Sequence, residues 1–337
     1  MRSWEVTGAL VLAGLVAAGA AESGDRPQIY KAEAGSLGVR VHRTFELKRA
    51  AGGRPLEMRV TWPTAAGRYP LIVFSHGAMG SKDAYDPLVR HWAGHGYVCI
   101  QPTHGDALKY QLAGFRSRMN TIWGHWKSRA GDVSMVLDAL DKIEAGVPGL
   151  AGRIDRSRIG VGGHSFGAHT SMLVGGMTVG GTLGGRAVSL ADSRPAALLM
   201  ISPQGTGGGL DRASWSKLTR PGMFITGTND KSGRTGKSHA WRKEAFDHSP
   251  PGDKYLVLID GAHHGFGGIS GPRRFPGRGP DNADHVAYVC SATTAYWDAY
   301  LKKDQKARRF LASEVFTQAT GGSVALTRKM GKKSVGP

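Results

Sequence analysis

The chain is poor in cysteine and in acidic residues: 2 Cys in 337 positions, and 26 Asp plus Glu against 44 Lys plus Arg. Two thiols exclude a disulfide-stapled mini-protein, whose small core needs several bridges. Glycine follows no three-residue period, no heptad pattern runs along the chain, and no internal repeat is found, which excludes collagen-like, coiled-coil and solenoid architectures. His-Glu-x-x-His and comparable metal-ligand spacings are missing, so neither a metal nor an organic cofactor is expected. After residue 21 no apolar run is long enough to span a bilayer, which needs about 20 residues. The shortage of acids leaves a formal net charge of +18. That excess first points to nucleic acid or to anionic surfaces. The 40% hydrophobic content, arranged in recurring short runs, excludes a disordered chain.

The N-terminus decides between those partners. Arg2 precedes a small, apolar stretch from Val6 to Ala21, with Ala18 and Ala20 at the positions a signal peptidase reads, and the polar run Glu22-Ser23-Gly24-Asp25 follows. This is the layout of a secretory leader, expected over residues 1–20, although Glu5 is unusual in a positive n-region. Its removal takes away Arg2 and Glu5 and leaves the charge at +18. A secreted or periplasmic chain is no genomic DNA binder. The expected partners are a small-molecule or polymeric substrate and an anionic envelope surface, not nucleic acid, and the chain is expected to act as a monomer. Export permits a bond between Cys99 and Cys290. Two buried free thiols are the alternative, and spacing does not choose between them.

Gly38–Leu47 and Leu56–Trp62 alternate apolar and polar residues and predict an N-terminal antiparallel pair. Dense apolar runs follow at Leu71–Phe74, Tyr97–Ile100, Ile159–Val161, Ala196–Ile201, Met223–Thr226 and Tyr255–Ile259, as in parallel strands buried on both faces. Helical periodicity falls between them, at Pro87–Ala93, Asp132–Ile143, Ala168–Leu173 and Asp284–Leu301. The alternation predicts an α/β fold, a mostly parallel doubly wound sheet with helices on both faces. The domain is expected over residues 27–312, with a basic tail at 313–337. Asp106–Trp126, aromatic and basic, is expected to be loop or short helices that line an apolar pocket, form a partial lid, or pack on the sheet. Thr178–Arg194 reads as a glycine-rich loop.

With 50 glycines in the chain, a Gly-x-Ser-x-Gly match carries little weight by itself. Gly163-His164-Ser165-Phe166-Gly167 gains weight from its setting, after the predicted strand Arg158–Gly162 and before the predicted helix Ala168–Leu173, which is the strand–turn–helix context of a nucleophile elbow. A serine hydroxyl needs a histidine to take its proton, and the histidine needs an acid to hold its tautomer. Downstream of Ser165, Asp230 sits at the exit of one predicted strand, and His263 and His264 follow the end of the next, where open α/β sheets place their sites. Asp260 is the competing acid, though close in sequence to the histidine pair. The preferred set is Ser165, Asp230 and His264, with His263 left open as the base. An oxyanion hole needs two backbone N–H groups. Phe166 supplies one and Ala78, with Gly77 close behind, the other. His76 is expected to position that loop.

The stretches Phe74-Ser75-His76-Gly77, Trp126–Asp132 with Arg129, Gly163–Gly167, Gly227–Asp230 and Gly261–His264 together resemble the α/β-hydrolase superfamily. Within it they are similar to secreted bacterial dienelactone-hydrolase-like and platelet-activating-factor-acetylhydrolase-like esterases. The resemblance implies an α/β-hydrolase fold, Ser165 as nucleophile, Asp230 as acid, His264 as base, and backbone donors at Ala78 and Phe166. True dienelactone hydrolases carry a cysteine where Ser165 stands. The function expected is that of a secreted serine esterase cleaving carboxylic esters through an acyl-enzyme. A lipase or phospholipase, and a non-catalytic hydrolase-like binding protein, are the alternatives.

Overall fold

The structure is a computed structural model that describes residues 28–50, 52–110, 124–180, 187–233, 235–272 and 275–331. The expected leader, and residues 111–123 of the aromatic segment, lie outside the described residues. Eleven strands are described: β1 (Val39–Leu47), β2 (Leu56–Pro63), β3 (Tyr69–Ser75), β4 (Val98–Pro102), β5 (Ile154–His164), β6 (Thr178–Val179), β7 (Val188–Ser189), β8 (Ala197–Ile201), β9 (Gly222–Gly227), β10 (Lys254–Ile259) and β11 (Val324–Lys329). The helices are α1 (Asp86–Gly94), α2 (Trp126–Asp138), α3 (Leu140–Gly146), α4 (Phe166–Gly175), α5 (His239–His248), α6 (Ala283–Leu301), α7 (Gln305–Ala312) and α8 (Val315–Ala319).

Nine strands form one sheet in the order β1-β2-β4-β3-β5-β8-β9-β10-β11. The centre from β4 to β10 is parallel. β1 and β2 make the expected antiparallel pair, and β11 adds an antiparallel edge beside β10. The period-two geometry of a strand sends alternate side chains to opposite faces. On β3, Leu71 and Val73 enter one core with residues of α2, α3 and α4, while Ile72 and Phe74 enter a second core with α1 and α6. Burial on both faces is why these strands read as unbroken apolar runs. Gly160 on β5 is the complement of a large neighbour: a Cβ there would lie 2.6 Å from the Trp297 ring.

Three expectations need correction. The basic segment from 313 is no free tail, since it supplies α8 and β11, with Val324 and Leu326 buried against the second core. The helix predicted over 132–143 is two helices. Ala139 leaves helical geometry at φ −106, ψ 16, and its N–H turns to the carbonyl of Val136. In the glycine-rich segment, β6 and β7 pair as a short two-stranded ladder, and residues 181–186 lie outside the described residues. Of the two alternatives for cysteine, the structure holds free thiols. Cys99 and Cys290 are both buried and unbridged, and burial raises the Cys290 thiol to about 12.

Candidate active site

Ser165 stands between β5 and α4 with φ 56 and ψ −118, a backbone conformation that costs a non-glycine residue on the order of 1–3 kcal/mol. The flanking glycines make that turn possible. A Cβ on Gly163 would lie 2.3 Å from the carbonyl carbon of Gly167, and a Cβ on Gly167 would lie 1.9 Å from the Ser75 carbonyl oxygen. Neither position admits a side chain, which is the steric content of the motif.

Strand ends bring the other groups to Ser165. His264, in the turn after β10, accepts from the Ser165 hydroxyl at Nε2 (3.0 Å) and donates from Nδ1 to Asp230 Oδ1 (2.8 Å). Asp230, after β9, is fully buried. Thr226 donates to its other oxygen at 3.0 Å. Burial alone raises the pKa of this carboxyl, but Arg242, then His264 and the hydrogen bonds from His264 and Ser202, outweigh it and hold the group well below the usual carboxylate range. His263 packs against Gly279 and makes no side-chain hydrogen bond to Ser165 or Asp230. Asp260 is exposed and is bonded to Thr228 Oγ1 at 3.0 Å. Of the alternatives in the sequence, Asp230 and His264 are the pair brought to the serine.

The loop after β3 runs beside the elbow. Its N–H groups are largely committed: Gly77 donates to Tyr85 Oη (3.0 Å), Met79 to Asp106 Oδ2 (3.1 Å) and Gly80 to the Gly77 carbonyl (3.0 Å). Ala78 N–H has no partner among the described residues. Phe166, the residue after Ser165, opens α4. Beneath both lies Arg129, fully buried, whose guanidinium covers the Phe166 ring at 4.5 Å and donates to the His76 carbonyl. His76 holds the loop as expected, donating from Nδ1 to the Gly77 carbonyl (2.7 Å) and accepting the His104 N–H at Nε2 (3.0 Å). Behind it, Ser75, His104 and Asp132 repeat the serine–histidine–carboxylate pattern, at 3.0 and 2.9 Å. All three are completely buried, so this second set is closed to any substrate. Burial, then Arg129, pushes the His76 and His104 rings well below their ordinary pKa.

Sequence reasoning missed Arg242, Ser202 and Tyr85. Arg242 on α5 places Nε 3.4 Å from Asp230 Oδ1 and donates to the Ser202 and Pro203 carbonyls. Ser202 Oγ lies 2.9 Å from His264 Nδ1. Ser202 ends an apolar run at a C-terminal strand end, so the rule that picked Asp230 would have reached it. Arg242 and Tyr85 carry no local signal. A cavity of about 240 Å³ opens on Ser165, lined by Met79, Tyr85, Gln204, Trp241, Phe275 and Pro276 among others. A larger cleft of about 440 Å³, between the N-terminal segment, α1 and α6, shares none of its lining residues. Among the described residues no group of His, Cys, Asp or Glu is arranged to hold a metal ion, and no helix is long and apolar enough to cross a membrane.

The family model described as Chlorophyllase matches residues 29–175. Chlorophyllase-1 of Arabidopsis thaliana is 40% identical over 48 residues, covering 14% of this chain and 15% of that protein. Platelet-activating factor acetylhydrolase of Cavia porcellus is 28% identical over 134 residues, 31% of each chain. The fold is that of an α/β hydrolase. The chain thus resembles α/β-hydrolase esterases, while the matched stretches span less than a third of either curated relative. The family-model match ends with the last residue of α4, so it covers Ser165 and the loop at Ala78. The parts of the hydrolase fold that carry Asp230 and His264 lie beyond it.

Proposed function

We propose that the protein is a secreted serine hydrolase of carboxylic esters, with Ser165 as nucleophile, His264 as general base and acid, and Asp230 as the acid that orients it. The observation that carries this reading is the single imidazole bonded to Ser165 on one nitrogen and to Asp230 on the other. The chlorophyllase and platelet-activating factor acetylhydrolase relatives support the same chemistry. Ser165 Oγ attacks the ester carbonyl as His264 Nε2 takes its proton. Asp230, ionised because Arg242 and its hydrogen bonds overcome burial, fixes the Nδ1–H tautomer and stabilises the imidazolium. The carbonyl oxygen becomes an oxyanion held by the N–H groups of Ala78 and Phe166. His264 then protonates the leaving alcohol, and water, activated by the same imidazole, releases the acid from Ser165.

The apolar lining and modest size of the cavity favour a short or medium acyl group over a long lipid tail. Secretion is supported by the leader layout of residues 1–20, and an anionic envelope surface as partner by the +18 charge. A monomeric state is supported by the described surface, where Leu108 and Met330 are the exposed large hydrophobic residues. The phospholipase reading draws on the platelet-activating factor acetylhydrolase relative. A nitrophenyl ester series separates the readings. Acetate to hexanoate is expected to be cleaved at least about tenfold faster than palmitate, since a cavity of about 240 Å³ cannot enclose the long tail. Ser165→Ala is expected to lower kcat by about 10⁴- to 10⁶-fold. A preference for palmitate would support the lipase reading, and no cleavage by wild type of any ester would support a binding protein.

A further inference from the structure

Three separate loops must hold their places for the proposed chemistry: the one carrying Ala78, the elbow carrying Ser165, and the turn carrying His264. A buried chain of hydrogen bonds joins all three. The Gly77 N–H donates to Tyr85 Oη at 3.0 Å, Tyr85 Oη lies 2.9 Å from His164 Nδ1, and His164 Nε2 lies 2.8 Å from the His264 carbonyl oxygen. The His264 carbonyl fixes its direction. A carbonyl only accepts, so His164 Nε2 carries the proton. In the neutral ring Nδ1 is then bare and accepts the proton of Tyr85 Oη, whose oxygen in turn accepts from the Gly77 N–H.

We infer that Tyr85 and His164 form a positioning relay, which turns the Gly77–Ala78 peptide toward the oxyanion and fixes the main chain of His264, so that one strut sets the donor and the base together. The inference rests on the hydrolase reading above. By occupying the Gly77 N–H, Tyr85 leaves Ala78 as the N–H free to face substrate. The parts are held against relaxation. Tyr85 has φ 69 at the start of α1, its own N–H reaches the Ser270 carbonyl, and its ring packs on Phe74 at 5.1 Å. The His164 ring lies 4.7 Å from that of His264 and 6.0 Å from Phe266, edge to face. Burial keeps His164 neutral, well below its ordinary pKa, so the proton order survives across the working range of an esterase. This also gives a reason for a histidine, rather than an apolar residue, directly before the nucleophile.

The test compares wild type, Tyr85→Phe, His164→Leu and the double variant. Tyr85→Phe removes one oxygen and leaves the ring in its packing. It is expected to slow acylation and kcat by about 10- to 100-fold, with KM within about twofold, because a small misplacement of catalytic groups acts on the transition state. The double variant is expected to be no worse than His164→Leu alone, since both break one strut. A Tyr85→Phe enzyme with wild-type kcat, an effect on KM alone, or losses that multiply would overturn the relay. Nitrogen-15 spectra of the histidine rings read it without substrate. His164 is expected as a neutral Nε2–H tautomer from about pH 5 to 8, perturbed by Tyr85→Phe; an Nδ1–H tautomer would overturn the relay. Wild type that cleaves no ester yet shows the expected spectra would contradict the hydrolase reading and leave the strut standing.

Discussion

At the scale of single residues, the interior is notable for neutral histidines. His76, His104 and His164 are buried and held well below their ordinary pKa by burial first, and His169 is lowered to about 3. Each stays neutral in the folded protein but takes up a proton near pH 6.5 when unfolded. The unfolded state therefore binds more protons below that pH, and stability falls as pH falls. Each ring contributes up to about 1.4 kcal/mol per pH unit below its unfolded pKa. The loss is expected to start near pH 6.5, above the carboxylate range. Urea midpoints measured between about pH 7 and pH 4.5 should decline below about pH 6.5, and a flat profile over that range would contradict this. At the same scale lies the limit of what the sequence discloses. Ser165 is legible because its strain demands glycines at fixed spacing. Tyr85 and Arg242 are not, since their partners at His164 and Asp230 reach them only after folding.

At the scale of elements, legibility follows burial. β3, β5, β8, β9 and β10 are covered on both faces and stand out as apolar runs. β11 does not, because it is an edge strand, with Val324 and Leu326 inward and Ala325 and Thr327 outward, inside a basic stretch that resembles a solvated tail. The break between α2 and α3 is not legible for another reason: it falls at Ala139, a strong helix former, with no glycine or proline to mark it. Ending the chain at Gly322 removes β11 and uncovers the edge of β10. The buried side chains of Val324 and Leu326 are each worth about 1.5–3 kcal/mol, so a loss of about 3–6 kcal/mol is expected, before counting the ladder with β10. Thermal melting of the shortened chain checks this, and a melting temperature equal to that of the full chain would contradict it.

At the scale of the whole molecule, the scarcity of acids and the scarcity of cysteine acquire meaning from the fold. The few buried acids are concentrated where they position groups: Asp230 at His264, Asp106 and Asp132 beneath the Ala78 loop, Asp298 among Tyr97, Lys31 and Lys302. The two thiols are buried packing residues away from Ser165, the proposed nucleophile. The parallel sheet brings groups 99 and 34 residues apart in sequence onto one imidazole. The central claim, that this imidazole activates Ser165, is tested most directly by a fluorophosphonate, which bonds covalently only to an activated serine, followed by mass analysis of the labelled peptide. The account predicts one adduct on Ser165 in wild type and none in Ser165→Ala. A wild-type protein that stays unlabelled, or an adduct that persists when Ser165 is replaced, would contradict it.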